Sequence, residues 1–401
     1  MTMNSKTAIK GKIHYVGVND RNKHRFEAMW PLPYGVSYNS YLIDDEMVAL
    51  VDTVDICYFE VYLRKIKQVI GERPINYLII NHMEPDHSGS IALIKKYYPE
   101  IVLVGNKKTF EMVEGYYGVT GERYVVGDGD FLKLGYHSLR FYLVPMVHWP
   151  ETMVTFDETE GILFSGDAFG CFGALNGGCI DRNINTDIYW NEMRRYYANI
   201  VGKFGNPVQK ALQKCGGLPI KTICPTHGPV WEECIPQVVD MYDKLSRYEG
   251  EEGVVIVYGT MYGNTEELAE AIAEELSAQG IKNIILHNVS HTHHSYILAD
   301  IFKYKALIAG CTTYNMQLYP EMESLLSKVA AREMKNRLFG YFGSFTWASA
   351  AVKKLGEFTE KLKFEVVGNP VEMKQSMKAD NYAQAKELAK AMADRLKADR
   401  K

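Results

Sequence analysis

The chain contains 401 residues, of which 47% are hydrophobic and 23% are charged. This composition is typical of a folded globular protein, and the length predicts two domains because one domain usually contains about 100–200 residues. Lys and Arg number 45 and Asp and Glu number 49, which leaves a formal net charge of -4. Such a balance indicates that neither nucleic acid nor an anionic membrane is a partner.

The first residues carry no apolar segment of the kind that directs secretion, and the longest apolar runs are far shorter than the roughly 20 residues of a membrane span. We therefore expect a cytoplasmic protein. The seven cysteines form no Cys-x-x-Cys pair, so reduced thiols are favoured and a fused rubredoxin or zinc-ribbon site is excluded.

Two different patterns divide the chain. Residues 1–250 contain short β-like runs, such as 12–17 and 77–80, with amphipathic helical stretches between them, which predicts an α+β sandwich. Residues 248–253 are polar, acidic and rich in glycine, which indicates a linker. We place the domain boundary after residue 250.

Residues 251–401 follow a strand-then-helix rhythm. Five apolar strand-like runs alternate with five helical stretches, beginning with the run at 254–258. Alternation of this kind predicts an α/β domain with a doubly wound, parallel, five-stranded sheet.

The first strand of this second domain leads into the segment Gly-Thr-Met-Tyr-Gly-Asn-Thr at 259–265, and a helix begins at once. Free backbone N–H groups at the positive end of a helix dipole form a cradle for phosphate. The alternative is a tight turn with an ordinary Thr or Asn cap. Loops at 310–315 and 343–349 follow two later strands and should converge with the first loop at the carboxyl edge of the sheet.

Tyr314 and Trp347 lie in these loops, and their position suggests that they stack on a flat heteroaromatic ring. The alternative is that each is an ordinary surface aromatic residue. The segment from 254 onward resembles flavodoxin, whose phosphate loop reads Thr-x-Tyr/Thr-Gly-Asn-Thr. The resemblance implies FMN as a cofactor. Its expected contacts are Thr260, Met261, Tyr262, Gly263, Asn264, Thr265, Thr312, Thr313, Tyr314, Asn315, Ser344, Phe345, Thr346, Trp347 and Ala348.

The N-terminal half carries a cluster of metal-ligand residues directly after the strand at 77–80. In an extended segment, His82, Glu84 and Asp86 would project to one side while His87 points to a second position. Three more candidates stand at the ends of apolar runs or in Gly/Pro turns, namely His148, Asp167 and His227. Each alone has an ordinary structural explanation, but together the seven predict a site for two metal ions. His137 has no such partners in the sequence, and we expect it at the surface.

This half resembles the metallo-β-lactamase superfamily, an αββα sandwich whose His-x-His-x-Asp-His motif has Glu84 here in place of a histidine. A carboxylate at that position moves the metal preference from zinc toward iron. With the flavodoxin-like segment added, the whole chain resembles the flavodiiron proteins. The likeness also gives Asp52 the role of a supporting aspartate that orients the ligand loop.

The resemblance implies one iron bound by His82, Glu84 and His148, a second bound by Asp86, His87 and His227, and a bridge through Asp167. His87 is not a ligand in every member of the family. Three aromatic residues could line the pocket or supply a proton, namely Trp149, Tyr196 and Tyr197.

The expected activity is reduction of O2 to water, of NO to N2O, or both, for detoxification. The family implies an external electron donor, either rubredoxin or a reduced deazaflavin, and a head-to-tail homodimer that possibly forms a tetramer. The alternative function is a dinuclear zinc metallohydrolase with an attached flavodoxin domain, against which Glu84 and the flavin loops both count. A third interpretation is an electron carrier with a vestigial metal fold.

Overall fold

The structure is a computed structural model that describes residues 8–399. The chain divides into two units. The N-terminal unit contains the residues up to Tyr196 together with Asn206–Asp243, and the C-terminal unit contains Tyr197–Gly205 and the chain from Lys244 onward. The domain boundary at residue 250 stays a prediction. Within the described residues, no helix combines the length and the apolar character that crossing a bilayer requires.

The N-terminal unit contains short strands and helices in alternation. Its strands are β1 (Ala8–Lys10), β2 (Ile13–Tyr15), β3 (Val18–Asp20), β4 (Arg25–Phe26), β5 (Trp30–Pro31), β6 (Val36–Tyr38), β7 (Tyr41–Ile43), β8 (Ala49–Val51), β9 (Tyr77–Ile79), β10 (Val102–Gly105), β11 (Arg123–Val125), β12 (Phe131–Lys133), β13 (Ser138–Leu143), β14 (Met153–Asp157), β15 (Ile162–Gly166) and β16 (Thr222–Pro225). Its helices are α1 (Phe59–Ile70), α2 (Pro85–Ser88), α3 (Ile91–Tyr97), α4 (Lys107–Tyr117), α5 (Asp187–Tyr196), α6 (Gly205–Cys215) and α7 (Ile235–Ser246).

These strands form two main sheets. The first has the order β1-β2-β7-β8-β9-β10-β11, and the second has the order β12-β13-β14-β15-β16. The sheets face each other, since the ring of Tyr41 on β7 lies 5.4 Å from that of Phe164 on β15. Every residue of β14 and β15 is buried, as expected for strands covered on both faces. The predicted αββα sandwich is confirmed by this arrangement and by the comparisons below.

Helix α1 shows why the sequence folds locally as it does. Its buried residues include Tyr62, Ile66 and Ile70, which recur every four positions and so lie on one face. Gly71 ends the helix with a positive φ of 62°, a backbone conformation that glycine adopts readily. The amphipathic pattern of the sequence predicts a helix over residues 59–70, and the structure confirms these bounds.

The C-terminal unit is a parallel sheet flanked by helices. Its strands are β17 (Glu251–Gly259), β18 (Ile284–Asn288), β19 (Tyr304–Thr312), β20 (Leu338–Phe345), β21 (Glu365–Val366) and β22 (Val371–Lys374). Its helices are α8 (Asn264–Ala278), α9 (His294–Lys303), α10 (Pro320–Ala331), α11 (Ala351–Leu362) and α12 (Ala379–Ala398). The order β18-β17-β19-β20 continues through β21 and β22, which both pair with β20 and together occupy the fifth position. This is the strand order of flavodoxin-like sheets, and it agrees with the doubly wound parallel sheet that the sequence predicts.

A buried arginine joins three segments of the C-terminal unit. The guanidinium of Arg337, which is 2% exposed, donates hydrogen bonds to the carbonyl oxygens of Ile301 (2.8 Å), Phe302 (2.6 Å) and Tyr248 (2.6 Å). Burial lowers the pKa of Arg337 to about 10. The side chain therefore satisfies carbonyl groups at the end of α9 and in the segment that precedes β17.

We expect Arg337→Met to destabilise the C-terminal unit by about 2–4 kcal/mol, because buried carbonyl groups would lose their donors. Hydrogen exchange of the β19 and β20 amides in the full-length chain would measure this as faster exchange. The control is Arg395→Met, which removes exposed ion pairs with Glu365 and Asp399 and should leave exchange unchanged. Equal protection in the two variants would show that the buried hydrogen bonds contribute little.

Candidate metal centre and phosphate-binding loops

The predicted metal ligands follow strand ends at one edge of the sandwich. His82 and Glu84 follow β9, Asp167 follows β15 directly, and His227 follows β16. His148 lies in the loop between β13 and β14. The carboxyl ends of neighbouring strands bring these loops together.

The segment between residues 82 and 88 is not extended throughout, so that part of the sequence prediction is wrong. Pro85 starts the short helix α2, and its fixed φ suits the first position of a helix. Glu84 remains extended, whereas Asp86 and His87 lie on the helical turn. The two carboxylates contact different histidines, Glu84 with His148 and Asp86 with His227.

Asp167 lies between four imidazoles. Its Oδ2 atom is 3.1 Å from Nε2 of His148 and 3.6 Å from Nε2 of His82. Its Oδ1 atom is 3.3 Å from Nε2 of His87 and 3.6 Å from Nε2 of His227. One carboxylate therefore presents one oxygen to each pair of histidines.

Each pair of histidines also has a carboxylate of its own. Glu84 Oε2 is 3.1 Å from Nε2 of His148, and Asp86 Oδ2 is 3.1 Å from Nε2 of His227. Ligand atoms within 4.8 Å of one another form two overlapping groups, which are His82, Glu84, His87 and Asp167, and Asp86, His87 and His227. The structure thus brings all seven predicted residues into one cluster, and their roles as ligands stay a prediction.

Several buried atoms of this cluster make no hydrogen bond. They are both carboxylate oxygens of Asp86, both ring nitrogens of His87 and Nε2 of His227. A buried polar atom without a partner is costly, and such atoms at one point are the donor set that a metal ion would satisfy. The residues present therefore fit bound metal.

The electrostatics of the cluster support the same conclusion. Burial would lower the pKa of His148, but hydrogen bonds with Asp167 and Glu84 outweigh burial and raise that pKa to about 10. Burial likewise opposes the charge of His87, and the carboxylates of Asp86 and Asp167 raise its pKa to about 10. Burial would raise the pKa of Asp167, yet the surrounding imidazoles hold it well below its usual range. Bound metal would take the place of the protons that these imidazoles hold.

Supporting residues hold the ligands in position, and sequence analysis missed most of them. Glu151 Oε1 lies 2.7 Å from Nδ1 of His82 and also accepts a hydrogen bond from the Met83 amide at 2.9 Å. The carbonyl oxygen of Ser37 lies 2.8 Å from Nδ1 of His227. Contacts of this kind leave the opposite nitrogen, Nε2, for a metal. An acidic residue three positions after His148 was the available signal.

Two further contacts fix the loops themselves. The buried carboxylate of Asp52 accepts hydrogen bonds from the amide (2.8 Å) and the side chain (3.0 Å) of Asn81, the residue before His82. The hydroxyl of Thr226, the residue before His227, donates a hydrogen bond to Oδ1 of Asp167. Asp52 therefore occupies the position expected of a supporting aspartate.

Aromatic rings surround part of the cluster. The ring centroid of Trp149 lies 5.2 Å from that of His82, and the ring of Tyr196 lies 5.7 Å from that of His227. Tyr197 belongs to the C-terminal unit, where its ring packs 6.0 Å from Phe302.

The C-terminal unit has a pocket of about 220 Å³ at the carboxyl edge of its sheet. Nine of the predicted FMN contacts line it, namely Thr260, Met261, Tyr262, Asn264, Thr265, Thr312, Ser344, Phe345 and Thr346. Gln375 and Ser376, which follow β22, also line the pocket and were missed from the sequence. The pocket therefore brings together residues of all three predicted loops and of a fourth segment.

The backbone of the first loop suits an anion. Gly263 precedes α8 with a φ of 93°, a left-handed conformation that favours glycine, and no side chain caps the helix from this position. The Gly263 amide donates to Oγ1 of Thr260 at 3.0 Å, and the hydroxyls of Thr265 and Ser344 lie 2.8 Å apart. The first-turn amides of α8 remain as donors for a phosphate.

The other predicted FMN contacts lie outside the residues that line the pocket. They are Gly263, Thr313, Tyr314, Asn315, Trp347 and Ala348. The hydroxyl of Thr313 accepts hydrogen bonds from the amides of Ala350 and Ala351 at the start of α11. Tyr314 is 41% exposed and Trp347 is 88% exposed, so both rings are open to a stacking partner.

Comparisons with known proteins agree with both halves of this description. Residues 36–228 match the family described as ODP family beta lactamase, and residues 256–391 match flavodoxin. The rubredoxin-oxygen oxidoreductase of Megalodesulfovibrio gigas is 32% identical over 398 residues, which cover 98% of each protein. The nitric oxide reductase of Moorella thermoacetica is 31% identical over 372 residues, covering 92% of this chain and 93% of that protein.

A solved structure gives the same result. The flavodiiron protein from Giardia intestinalis matches with a TM-score of 0.92 and 25% sequence identity, and the match covers 98% of this chain and 97% of that one. This chain belongs to the flavodiiron protein family. The family predicted from the sequence motifs is therefore confirmed, and with it the two-part fold of flavodiiron proteins.

We expect Glu151→Ala to weaken iron binding about 10–100-fold, because His82 would lose the partner that orients its ring. Competition with a chelator would measure the affinity, and FMN content should stay constant. Glu151→Gln keeps an acceptor oxygen and should retain most of the affinity. Glu158→Ala, which removes an exposed pair with Arg140, is the matched control. Wild-type iron affinity in Glu151→Ala would exclude this role for Glu151.

Proposed function

We propose that this flavodiiron protein reduces O2 to water, NO to N2O, or both, at a diiron site supplied with electrons by FMN, and so removes these gases. The observation that carries the proposal is the buried carboxylate of Asp167 between two pairs of histidines, in a cluster where several buried polar atoms make no hydrogen bond. The names of the two relatives, an oxygen oxidoreductase and a nitric oxide reductase, support this choice of substrates.

In this proposal, His82, Glu84 and His148 would hold one iron, Asp86, His87 and His227 would hold the other, and Asp167 would be a ligand that both share. The short distances within each set support the division, since His148 contacts Glu84 and His227 contacts Asp86. Glu84 adds oxygen where the hydrolytic superfamily has nitrogen, and this favours iron over zinc.

When bound, the diiron site and FMN supply electrons, four for the reduction of O2 to two waters and two for the coupling of two NO to N2O. The chain itself positions these groups and limits the access of water to the buried ligands. In the C-terminal unit, the 260–265 loop would bind the FMN phosphate through the α8 amides. Tyr314 and Trp347 would flank the isoalloxazine ring.

Electrons must reach the flavin from outside the chain. Rubredoxin is the proposed donor, supported by the name of the Megalodesulfovibrio relative, and a reduced deazaflavin is the alternative. We also propose two domains, 1–250 and 251–401, in a head-to-tail homodimer that can assemble further into a tetramer. The cytoplasmic location stays a prediction.

The test measures iron, zinc and FMN in the wild-type protein, and then O2 and NO consumption by the reduced holoprotein with rubredoxin as donor. We expect about two irons and one FMN per chain and turnover of at least one gas. Glu84→His should bind less iron and more zinc and should lose turnover, because zinc has no redox chemistry.

A wild-type protein with two zincs and no gas consumption would contradict the proposal and would favour the metallohydrolase. A Glu84→His variant that keeps both irons and full activity would show that Glu84 does not select the metal. FMN content should be equal in wild type and variant, since Glu84 lies in the N-terminal unit.

We expect Thr265→Leu to release FMN while iron is retained, because Thr265 lines the pocket at the start of α8. Flavin absorbance after desalting measures the loss. The matched control is Ser277→Leu, an exposed position near the end of the same helix, which should keep FMN. Full FMN retention by Thr265→Leu would show that the phosphate binds at another site.

A further inference from the structure

The N-terminal unit contains an apolar cavity of about 90 Å³ that has no role in the function proposed above. It lies between the second sheet and helices α6 and α7. Its lining includes Val147, Val154, Ala168, Phe169, Val208 and Leu212. Side chains from strand β14, from the loops after β13 and β15, and from α6 thus enclose one space.

The inner wall of this cavity adjoins the metal cluster. Val147 immediately precedes His148, and Ala168 immediately follows Asp167. Because consecutive Cα atoms are about 3.8 Å apart, the backbone that carries two proposed iron ligands is also the backbone of the cavity wall. Val147 is 2% exposed and Phe169 is 7% exposed, so this wall is buried.

The outer wall is closer to solvent. Ala211 and Leu212 on α6 are half-buried, and so are Ile235 and Val239 on α7. The cavity therefore extends from the half-buried faces of two helices to the buried backbone beside the metal cluster.

The chemistry of the lining selects a small apolar occupant. No lining residue carries a charge, and the polar groups among them are a cysteine thiol and a tyrosine hydroxyl. Apolar cavities of this kind stay dry and bind apolar guests such as xenon, since a buried water needs two to four polar partners. A volume of about 90 Å³ is too small for a drug-sized substrate, whose pockets measure about 300–1,000 Å³. It suits one or a few diatomic molecules.

We propose that this cavity is a chamber for diatomic gas, which receives O2 or NO between α6 and α7 and delivers it to the metal site past Val147 and Ala168. The inference rests on the proposed function. Uncharged apolar substrates would then reach the metal site through apolar surroundings, separate from the polar cluster that contains the proposed metal ligands.

The first test does not depend on activity. Crystals of the full-length holoprotein would be pressurised with xenon, which occupies apolar cavities and is located by its anomalous scattering. We expect a xenon site bounded by Val147, Phe169 and Val208. The absence of xenon from this cavity would overturn the inference.

The second test fills the chamber. Ala211→Phe and Val239→Phe, from opposite helices, should each displace xenon and lower kcat/KM for O2 or NO by about tenfold, with iron and FMN content unchanged. Gln213→Phe, on the exposed face of α6, is the matched control and should keep wild-type kcat/KM. If either filled variant folds, excludes xenon and keeps wild-type kcat/KM, the proposed route is wrong.

The two proposals fail in different ways. A wild-type protein that consumes neither O2 nor NO would overturn the proposed function. Active wild-type protein without xenon in the cavity would overturn the gas chamber alone.

Discussion

The burial of charge is the constraint on which the centre of this molecule depends. Removal of an ion from water costs several kcal/mol even after the protein relaxes, and here Glu84, Asp86 and Asp167 stand in the interior together. Four imidazoles face these carboxylates, and Asp167 alone faces all four. The carboxylates raise the pKa values of His87 and His148, so protons on these imidazoles balance the buried negative charge. Bound metal would satisfy the same carboxylates, together with the nitrogen atoms that make no hydrogen bond.

The fold meets this constraint through neighbouring residues that form hydrogen bonds with the proposed ligands and with their loops. Strands β9, β15 and β16 end at one edge, so residues far apart in the chain meet there. Glu151 then orients His82, and Asp52 holds the residue before it. Carboxylates thus support the loop that carries His82, the Thr226 hydroxyl contacts Asp167, and the Ser37 carbonyl contacts His227.

Local sequence patterns predicted the parts of the structure that depend on local chemistry. Strand ends, the α1 helix and the phosphate loop follow from hydrophobic spacing and from glycine, and the ligand motif after β9 was visible directly. The backbone conformation of that motif was not predicted correctly, because Pro85 starts a helical turn where an extended segment was expected. The family resemblance, confirmed by the comparisons, supplied the division of the ligands and their assignment to iron.

Contacts between residues far apart in the sequence were not predicted. His137 was expected at the surface, yet it is 1% exposed and lies 2.9 Å from Asp157, twenty positions away on β14. Gln375 and Ser376 were missed because strand β22 alternates apolar and polar residues over four positions, a weak signal that was not recognised. Glu151 was missed for a similar reason, since its partner His82 is 69 positions away. In each case the partner belongs to another element, and only the folded chain brings the two together.

The central claim is that one buried cluster binds two irons through a shared carboxylate. Diffraction from crystals of protein purified without added metal, recorded on both sides of the iron absorption edge, tests this claim most directly. We expect two iron peaks, one beside His82, Glu84 and His148 and one beside Asp86, His87 and His227, with Asp167 between them. A single peak, or peaks that persist at the zinc edge and vanish at the iron edge, would contradict it.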